Sequence, residues 1–289
     1  MRISESCAKC LYDRQRRRRP DEAYLARVRA LLESRGEEDT SPLLVYRFNQ
    51  AYTSLYGASD GYAGVKRRYN DLVLGMEDTL RARIEASEDP LATALAFARV
   101  GNYIDYGAMD DVDEAAFLGL FDTATLRPEE LPVYRRLLEA CGRGKRFLLI
   151  ADNCGEIVLD KLFLERLKRR FPQLALKVLV RGGEVLNDVT VEDAHYAGID
   201  RVAEILSNGA AIAGTVAEML PQPARRALEL SDVILAKGQG NYESLSGQGR
   251  HVFYAFLCKC ELFTSRFGVA PLTGMLVEEG EGRTEPTDV

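Results

Sequence analysis

The pattern of hydrophobic and polar residues changes near Gly142. Before that point, apolar residues recur at spacings of three and four, the period of amphipathic helices, and strand-like alternation is nearly absent. Glycine and proline interrupt the pattern, and Pro42 and Pro90 stand where the first turn of a helix accepts proline. We therefore predict a helical N-terminal domain over residues 1–142.

After residue 142, short aliphatic and β-branched runs alternate with helical stretches. The predicted strands are Arg146–Ala151, Leu176–Arg181, Arg201–Leu206, Asp232–Ala236 and His251–Leu257. The predicted helices between them are Glu156–Arg170, Val191–Ala197, Thr215–Leu220 and Pro223–Leu230. Because alternating strands and helices of this length form a parallel sheet covered by helices, residues 143–289 are predicted to be an α/β domain.

Composition and charge narrow the class of protein. The chain has 289 residues, of which 46% are hydrophobic and 28% charged, as is typical of folded globular proteins. A net charge of −6 disfavours nucleic acid as the main partner, because phosphate backbones are bound by accumulated Lys and Arg. We expect no membrane span, since no apolar run reaches about 18 residues. The N-terminus also lacks a secretory signal, so we expect a cytoplasmic protein, of undetermined oligomeric state.

Polar clusters follow the predicted strands at their carboxyl ends. These clusters are Asp152-Asn153, Asn187-Asp188, Ser207-Asn208-Gly209, Lys237–Asn241 and Cys258–Cys260. In an open α/β sheet the ligand crevice lies outside the carboxyl ends of the strands, so these clusters are expected to meet at one site.

The pair Asp152-Asn153 has two interpretations. Together with Asp188 it supplies three oxygen ligands, which suit Mg²⁺ or Mn²⁺ better than Zn²⁺, a metal that prefers nitrogen and sulfur. Alternatively, one of the two side chains caps the helix that follows, since Asp and Asn readily accept hydrogen bonds from the first amides of a helix. The residue pattern leaves both interpretations open.

Two glycine-rich loops suggest anion binding. In AKGQGNYESLSG, Gly238 and Gly240 let backbone amides approach an anion beside Lys237, although the spacing of a Walker loop is absent. The loop SNGAAIAGT can hold a phosphate or a sugar hydroxyl, and either loop can equally be an ordinary turn. Lys259 is explained most simply as a side chain that reaches the surface.

Two further groups of residues have more than one interpretation. In GNYIDYG, Asn102 and Asp105 either cap a helix end or close the site from the helical domain. Cys7 and Cys10 form half of a zinc site, which Cys258 and Cys260 complete if the N-terminus packs near the last predicted strand. A redox pair and inert thiols are the alternatives.

Several stretches resemble, in order, motifs of the DUF89 family of metal-dependent damage-control phosphatases. They are DNCGEIVLDKLFLERL, RGGEVLNDVTVEDAHYAGID, SNGAAIAGT, SDVILAKGQGNYESLSG and VFYAFLCKCELFTSRFGV. The stretches CAKC, DGYAGVKRRYN and GNYIDYGA resemble the branch of the family with an N-terminal CxxC. The resemblance extends from Cys7 to Val269.

The resemblance implies a helical N-terminal region joined to a Rossmann-like, three-layer domain with a mostly parallel sheet. It also implies hydrolysis of small phosphorylated metabolites, such as sugar phosphates or phosphopantetheine-like compounds. One divalent metal, Mn²⁺, Mg²⁺, Co²⁺ or Ni²⁺, would be held by Asp152, Asn153 and Asp188. The residues implied to bind substrate are Lys237, Gln239, Asn241, Glu243, Lys259, Asn102, Asp105, Ser207 and Asn208.

The sequence departs from the family pattern at one position of the last predicted strand. Relatives in this branch often carry two lysines there, as KxKC, whereas this chain has Leu257 at the first and Lys259 at the second. The loss of one positive charge can narrow the range of phosphates that the site accepts.

The predicted mechanism is metal-assisted attack of water on phosphorus. Lys237 and Lys259 would offset phosphoryl charge, and Asp152 would act as a metal ligand in preference to forming a phospho-aspartate. Two other classes are a Rossmann-like methyltransferase and a non-catalytic protein that binds a metal or metabolite. The first βα loop lacks the GxG turn expected of a methyltransferase. A phosphatase assay with added metal distinguishes a phosphatase from the non-catalytic class, which would release no phosphate.

Overall fold

The computed structural model describes residues 1, 3–57, 61–104 and 114–280. Its helical half contains α1 (Glu5–Arg18), α2 (Glu22–Glu33), α3 (Ser41–Tyr56), α4 (Ala63–Glu85), α5 (Pro90–Val100), α6 (Glu114–Thr123) and α7 (Leu131–Arg143). Pro42 and Pro90 lie in the first turns of α3 and α5, as predicted. Among the described residues, no helix has the length and apolar character needed to cross a bilayer.

The second half forms a sheet of six strands within the described residues. They are β1 (Arg146–Ile150), β2 (Ala175–Val180), β3 (Glu204–Ser207), β4 (Val233–Lys237), β5 (Val252–Leu257) and β6 (Gly274–Glu279). The strand order is β3-β2-β1-β4-β5-β6, and every neighbouring pair is parallel except β5 and β6. The predicted α/β class with a mostly parallel sheet is confirmed. In this order, the direction of winding reverses between β1 and β4, where doubly wound sheets bind their ligands.

Helices α8 (Glu156–Arg170), α9 (Val191–Ala197), α10 (Gln222–Leu230), α11 (Gln239–Leu245) and α12 (Glu261–Phe267) complete this half. The predicted helix Thr215–Leu220 is wrong, because only a 3-10 turn forms there, at Ala217–Met219. Pro221 follows directly and disfavours helical geometry in the residue before it. Strand β3 starts three residues later than predicted, since a 3-10 turn occupies Ile199–Arg201. Strand β6 was missed.

The hydrophobic core crosses the boundary between the two predicted domains. Phe147 and Leu149 of β1 lie in one buried cluster with side chains of α4, α5 and α7. Leu148 and Ile150 lie in a second cluster on the opposite face of the sheet. Helices α1 to α3 bury a separate cluster of their own. Because both faces of β1 are covered, the carboxyl end of this strand is fixed within the protein.

Candidate active site

The segments that follow β1 and β2 lie side by side. The amides of Cys154 and Val189 each donate to a carbonyl oxygen of the other segment at 2.9 Å. These bonds flank an isolated antiparallel bridge between Asn153 and Asp188. Opposite residues in such a pair have Cα atoms about 4.5 Å apart, and their side chains project from the same face. Backbone pairing therefore brings two of the three predicted metal ligands together.

Arg181 connects the third predicted ligand to this pair. Its Nε donates to Asp188 Oδ2 at 2.7 Å, and its Nη2 donates to Asp152 Oδ1 at 3.1 Å. Its Nη1 donates to the backbone oxygen of Gly214 at 3.4 Å and to Asn241 Oδ1 at 3.3 Å. The residue is 1% exposed. The guanidinium thus holds two buried carboxylates that would otherwise repel each other.

The donors of these three residues fit a hard divalent cation. The amide nitrogen of Asn153 donates to Asp152 Oδ2 at 2.8 Å and to Glu156 Oε2 at 3.1 Å, which turns its amide oxygen away from both carboxylates. Carboxylate and amide oxygens are ligands that Mg²⁺ and Mn²⁺ prefer. Within the described ranges, no three His, Cys, Asp or Glu side chains are placed to hold a metal. A metal here would therefore depend on two carboxylates, one amide oxygen and further ligands from water or substrate.

The alternative interpretation, that Asp152 or Asn153 caps α8 with its side chain, is wrong. The N-cap residue of α8 is Gly155, with φ of 80°, and in the described structure no side chain makes a cap hydrogen bond there. Asn153 contributes only its backbone oxygen, which accepts from the amide of Ile157 at 3.1 Å. Neither side chain is therefore used to cap α8.

Lys237 lies in a buried cluster of charges next to this group. Its Nζ donates to Ala98 O at 3.0 Å and to Glu156 Oε1 and Asp160 Oδ1 at 2.7 Å each. Burial disfavours the charged lysine, but Asp160 and Glu156 outweigh it and raise the pKa of Lys237. Burial also raises the pKa of Asp160 to about 7, against the attraction of Lys237. Three acceptors use the three ammonium hydrogens, so this arrangement does not provide the predicted contact between Lys237 and a phosphoryl group.

Helix α11 carries three predicted substrate ligands in different environments. Asn241 is fully buried, and its amide nitrogen donates to carbonyl oxygens at the ends of β1 and β4. This side chain ties two strand ends together, which does not fit the predicted direct contact with substrate. Gln239 Oε1 accepts from the backbone amide of Lys259 at 3.1 Å. Lys259 and Glu243 are half-buried, so they are better placed than Asn241 to reach a ligand.

Asn208 and Ser207 shape the loops after β2 and β3. Asn208 Oδ1 accepts from the amides of Gly182 at 2.7 Å and Ala210 at 3.0 Å, and the residue is 1% exposed. Ser207 Oγ accepts from the amide of Gly209 at 3.0 Å. These bonds organise backbone, and the predicted role of both residues in binding substrate stays a prediction.

Asn102 joins the site from the helical half. It is fully buried in the 3-10 turn after α5, and its Nδ2 donates to Asp152 Oδ2 at 2.9 Å and to Glu156 Oε2 at 3.2 Å. Its Oδ1 accepts from the amide of Leu257 at 3.0 Å. Asn102 thus closes on the candidate ligands, as one of its two interpretations predicts. Asp105 lies outside the described residues.

The structure does not form the four-sulfur site. Cys258 is buried whereas Cys260 is exposed. Cys7 is half-buried and Cys10 is exposed. No group of three metal-binding side chains that includes these thiols occurs in the part of the chain that the structure describes. A redox pair and inert thiols remain the alternatives.

Sequence reasoning missed Arg181 and Glu156. An arginine at the end of the apolar run LKVLVR was a usable signal, because a guanidinium that enters the core requires carboxylate partners. Glu156 resembles an ordinary acidic residue in the first turn of a helix, where the helix dipole favours negative charge. Its spacing of three residues from Asn153 is that of a capping box, in which the acidic side chain accepts from the backbone amide three residues before it, and this contact with Asn153 forms.

Gly238 provides a test of how tightly Asp152 is held. A Cβ at Gly238 would lie 2.0 Å from Asp152 Oδ2, and its φ is +79°. We expect Gly238→Ala to displace this carboxylate and lower turnover at least about tenfold, because backbone strain and steric overlap act together. Gly57→Ala is the matched control, with φ of +81° and nothing within 4 Å of the added Cβ. If both variants lost the same turnover and unfolding free energy, close packing against Asp152 would be refuted.

Most of the chain is similar in sequence to known proteins. A family model described as the damage-control phosphatase ARMT1-like domain matches residues 2–272. A damage-control phosphatase from Archaeoglobus fulgidus is 32% identical over 281 residues, covering 93% of this chain and 96% of that protein. A damage-control phosphatase from Pyrococcus horikoshii is 27% identical over 208 residues, covering 71% of this chain and 69% of that protein. Similarity to these proteins extends over most of the chain.

The fold also matches a solved structure. A crystal structure of a DUF89 family protein from Pyrococcus horikoshii aligns with a TM-score of 0.79 and 21% identity, covering 96% of this chain and 99% of that one. The helical half and the sheet therefore occur together in that structure as well.

Proposed function

We propose that this chain, which belongs to the damage-control phosphatase ARMT1-like domain family, hydrolyses phosphate monoesters of small metabolites with the help of one divalent metal. Membership confirms the resemblance and the phosphatase class predicted from the motifs. The metal, the substrate, the CxxC branch and the cytoplasmic location are our predictions.

The observation that carries the proposal is the group of oxygen donors at the carboxyl ends of β1 and β2, on one side of the point between β1 and β4 where the sheet reverses its winding. Asp152 and Asp188 both accept from Arg181, and Asn153 is paired with Asp188 through the backbone. Their types suit a hard cation, and parallel sheets bind phosphorylated ligands at such strand ends. A divalent cation, when bound, offsets the negative charge of a phosphoryl group and assists attack by water.

The hydrogen bonds of Asp152 favour water over a phospho-aspartate. Oδ2 of this residue accepts from the amide nitrogens of Asn102 and Asn153, and Oδ1 accepts from Arg181. A carboxylate stabilised by three donors is a poor nucleophile, because attack on phosphorus would weaken those bonds. These bonds support the role of metal ligand that the mechanism predicted from the sequence gives to Asp152.

Lys259 is the better candidate for contact with the phosphoryl group. It is half-buried at the end of β5, and its backbone is held by Gln239, whereas Lys237 is fully buried. We assign charge compensation at the phosphate to Lys259. Leu257 is 5% exposed within the core, so this strand end offers one lysine where relatives often have two.

Metal-dependent hydrolysis is tested on the purified protein after removal of metal with EDTA. We expect release of nitrophenol from p-nitrophenyl phosphate when Mn²⁺, Mg²⁺, Co²⁺ or Ni²⁺ is added, and no release without metal. A panel of sugar phosphates and phosphopantetheine-like compounds then ranks substrates. Equal hydrolysis with and without metal would contradict the metal, and no hydrolysis of any ester would favour the non-catalytic class.

A further inference from the structure

Glu156 contacts one candidate metal ligand at two points. We propose that Glu156 is a positioning residue that orients the side-chain amide of Asn153 so that its oxygen is offered to a divalent cation. The inference rests on the proposed metal-dependent function. Glu156 itself is placed behind the ligands, because it is 0% exposed whereas Asp152 is 7% exposed, and because one of its oxygens is held by the ammonium of Lys237.

The contacts divide between the two carboxylate oxygens. Oε2 accepts from the backbone nitrogen of Asn153 at 3.3 Å, from Asn153 Nδ2 at 3.1 Å and from Asn102 Nδ2 at 3.2 Å. Oε1 accepts from Lys237 Nζ at 2.7 Å. Glu156 is 0% exposed, so solvent does not replace any of these donors.

This network determines the orientation of the Asn153 amide. Its Nδ2 faces two carboxylate oxygens, Oδ2 of Asp152 and Oε2 of Glu156. A rotation of the amide by half a turn would place its oxygen against both, where acceptors repel each other. The two carboxylates therefore favour the orientation in which the amide oxygen points away from them.

Lys237 gains a role from this arrangement. Its ammonium is fixed by Ala98 O and Asp160, and it holds Oε1 of Glu156 so that Oε2 is left for the asparagines. Asp160 lies four residues after Glu156 on α8, which places both carboxylates on one face of the helix. Lys237 is thus a buried support for Glu156, in place of the predicted substrate contact.

Two double variants test the proposal by Mn²⁺ binding alone. Glu156→Gln with Lys237→Met and Glu156→Leu with Lys237→Met both remove the ion pair of Glu156 and Lys237, and both leave Asp160 without its ammonium partner, so that this cost is common to the two variants. The glutamine variant keeps an acceptor oxygen for the side-chain amide of Asn153, whereas the leucine variant has none. We expect the glutamine variant to bind within about threefold of the wild-type Kd and the leucine variant about 10- to 100-fold more weakly, as is usual for partners of metal ligands.

Binding is measured by calorimetry on folded, metal-free protein without substrate. Glu130→Gln is the control, since Glu130 is also buried, at 2% exposure, and pairs with Arg99 at 2.6 Å. We expect it to lower the unfolding free energy and leave the Kd for Mn²⁺ unchanged. If the leucine variant does not fold, Glu156→Ala with Lys237→Met takes its place.

The outcomes separate this inference from the proposed function. Equal Kd values for the two double variants would overturn the role of Glu156 while leaving metal binding intact. A wild-type protein that binds no Mn²⁺ would instead overturn the metal-dependent function on which the inference rests.

Discussion

Asp152→Asn is expected to lower the turnover of phosphate monoesters by at least about 10²-fold, beyond the loss usual for residues that only support a metal ligand. The substitution removes one negative charge from the candidate metal ligands. It also places an amide nitrogen against a donor, because Oδ1 of Asp152 accepts from Arg181 and Oδ2 accepts from Asn102 and Asn153. The shape of the side chain is kept, so the protein is expected to fold. Initial rates at saturating Mn²⁺ measure the effect.

Asp232→Asn is the control for that measurement. Asp232 precedes β4, at the opposite end of the sheet, and accepts from the backbone amides of Lys145 and Arg146 at 2.9 Å each. This carboxylate joins the first residues of two strands, away from the candidate site. Its substitution should therefore change turnover by no more than about twofold relative to the wild type, as is usual for surface positions. If Asp152→Asn folded and kept normal turnover, the assignment of Asp152 as a metal ligand needed for catalysis would be contradicted.

Arg181→Met is expected to lower the unfolding free energy by about 3–5 kcal/mol in metal-free buffer, the usual cost of removing one partner from a buried ion pair. The guanidinium is the shared partner of Asp152 and Asp188, whose side chains are 9% and 4% exposed. Without it, two buried carboxylates repel. A bound cation restores positive charge between them, so Mn²⁺ should stabilise the variant more than it stabilises the wild type. Urea denaturation with EDTA and with Mn²⁺ measures both effects.

Arg146→Met serves as the matched control. Arg146 pairs with Asp232 at 3.0 Å, but these side chains are 50% and 35% exposed. Exposed ion pairs contribute about 0–1 kcal/mol, so a small loss is expected. If Arg181→Met lost no more than Arg146→Met, Arg181 would not be the element that holds the two aspartates together.

The secondary structure was predicted best where the hydrophobic pattern agrees with the glycine and proline residues that begin or end an element. Helix α8 was predicted with its observed ends because an amphipathic run starts directly after Gly155. Strand β6 was missed because its residues, GMLVEE, form a strand by pairing with β5 and not by strong local alternation. Pro221 limited the segment Thr215–Leu220 to one turn, although its apolar residues suggested a helix.

The candidate site could be located from the sequence, but the roles of its side chains could not be fully assigned. Strand ends converge in any parallel sheet, so Asp152, Asn153 and Asp188 were expected to meet. The environment of a side chain at a strand end depends on non-local packing. Lys237 is therefore engaged with residues of α5 and α8, which no spacing along the chain indicates.

The most direct measurement is the position of Mn²⁺ in crystals of the metal-loaded protein, located by anomalous scattering. We predict one strong peak coordinated by oxygens of Asp152, Asn153 and Asp188, which disappears in crystals of Asp152→Asn grown under the same conditions. A strong peak held by other residues, or a fully metal-dependent activity with no peak beside Asp152, would contradict the proposed site.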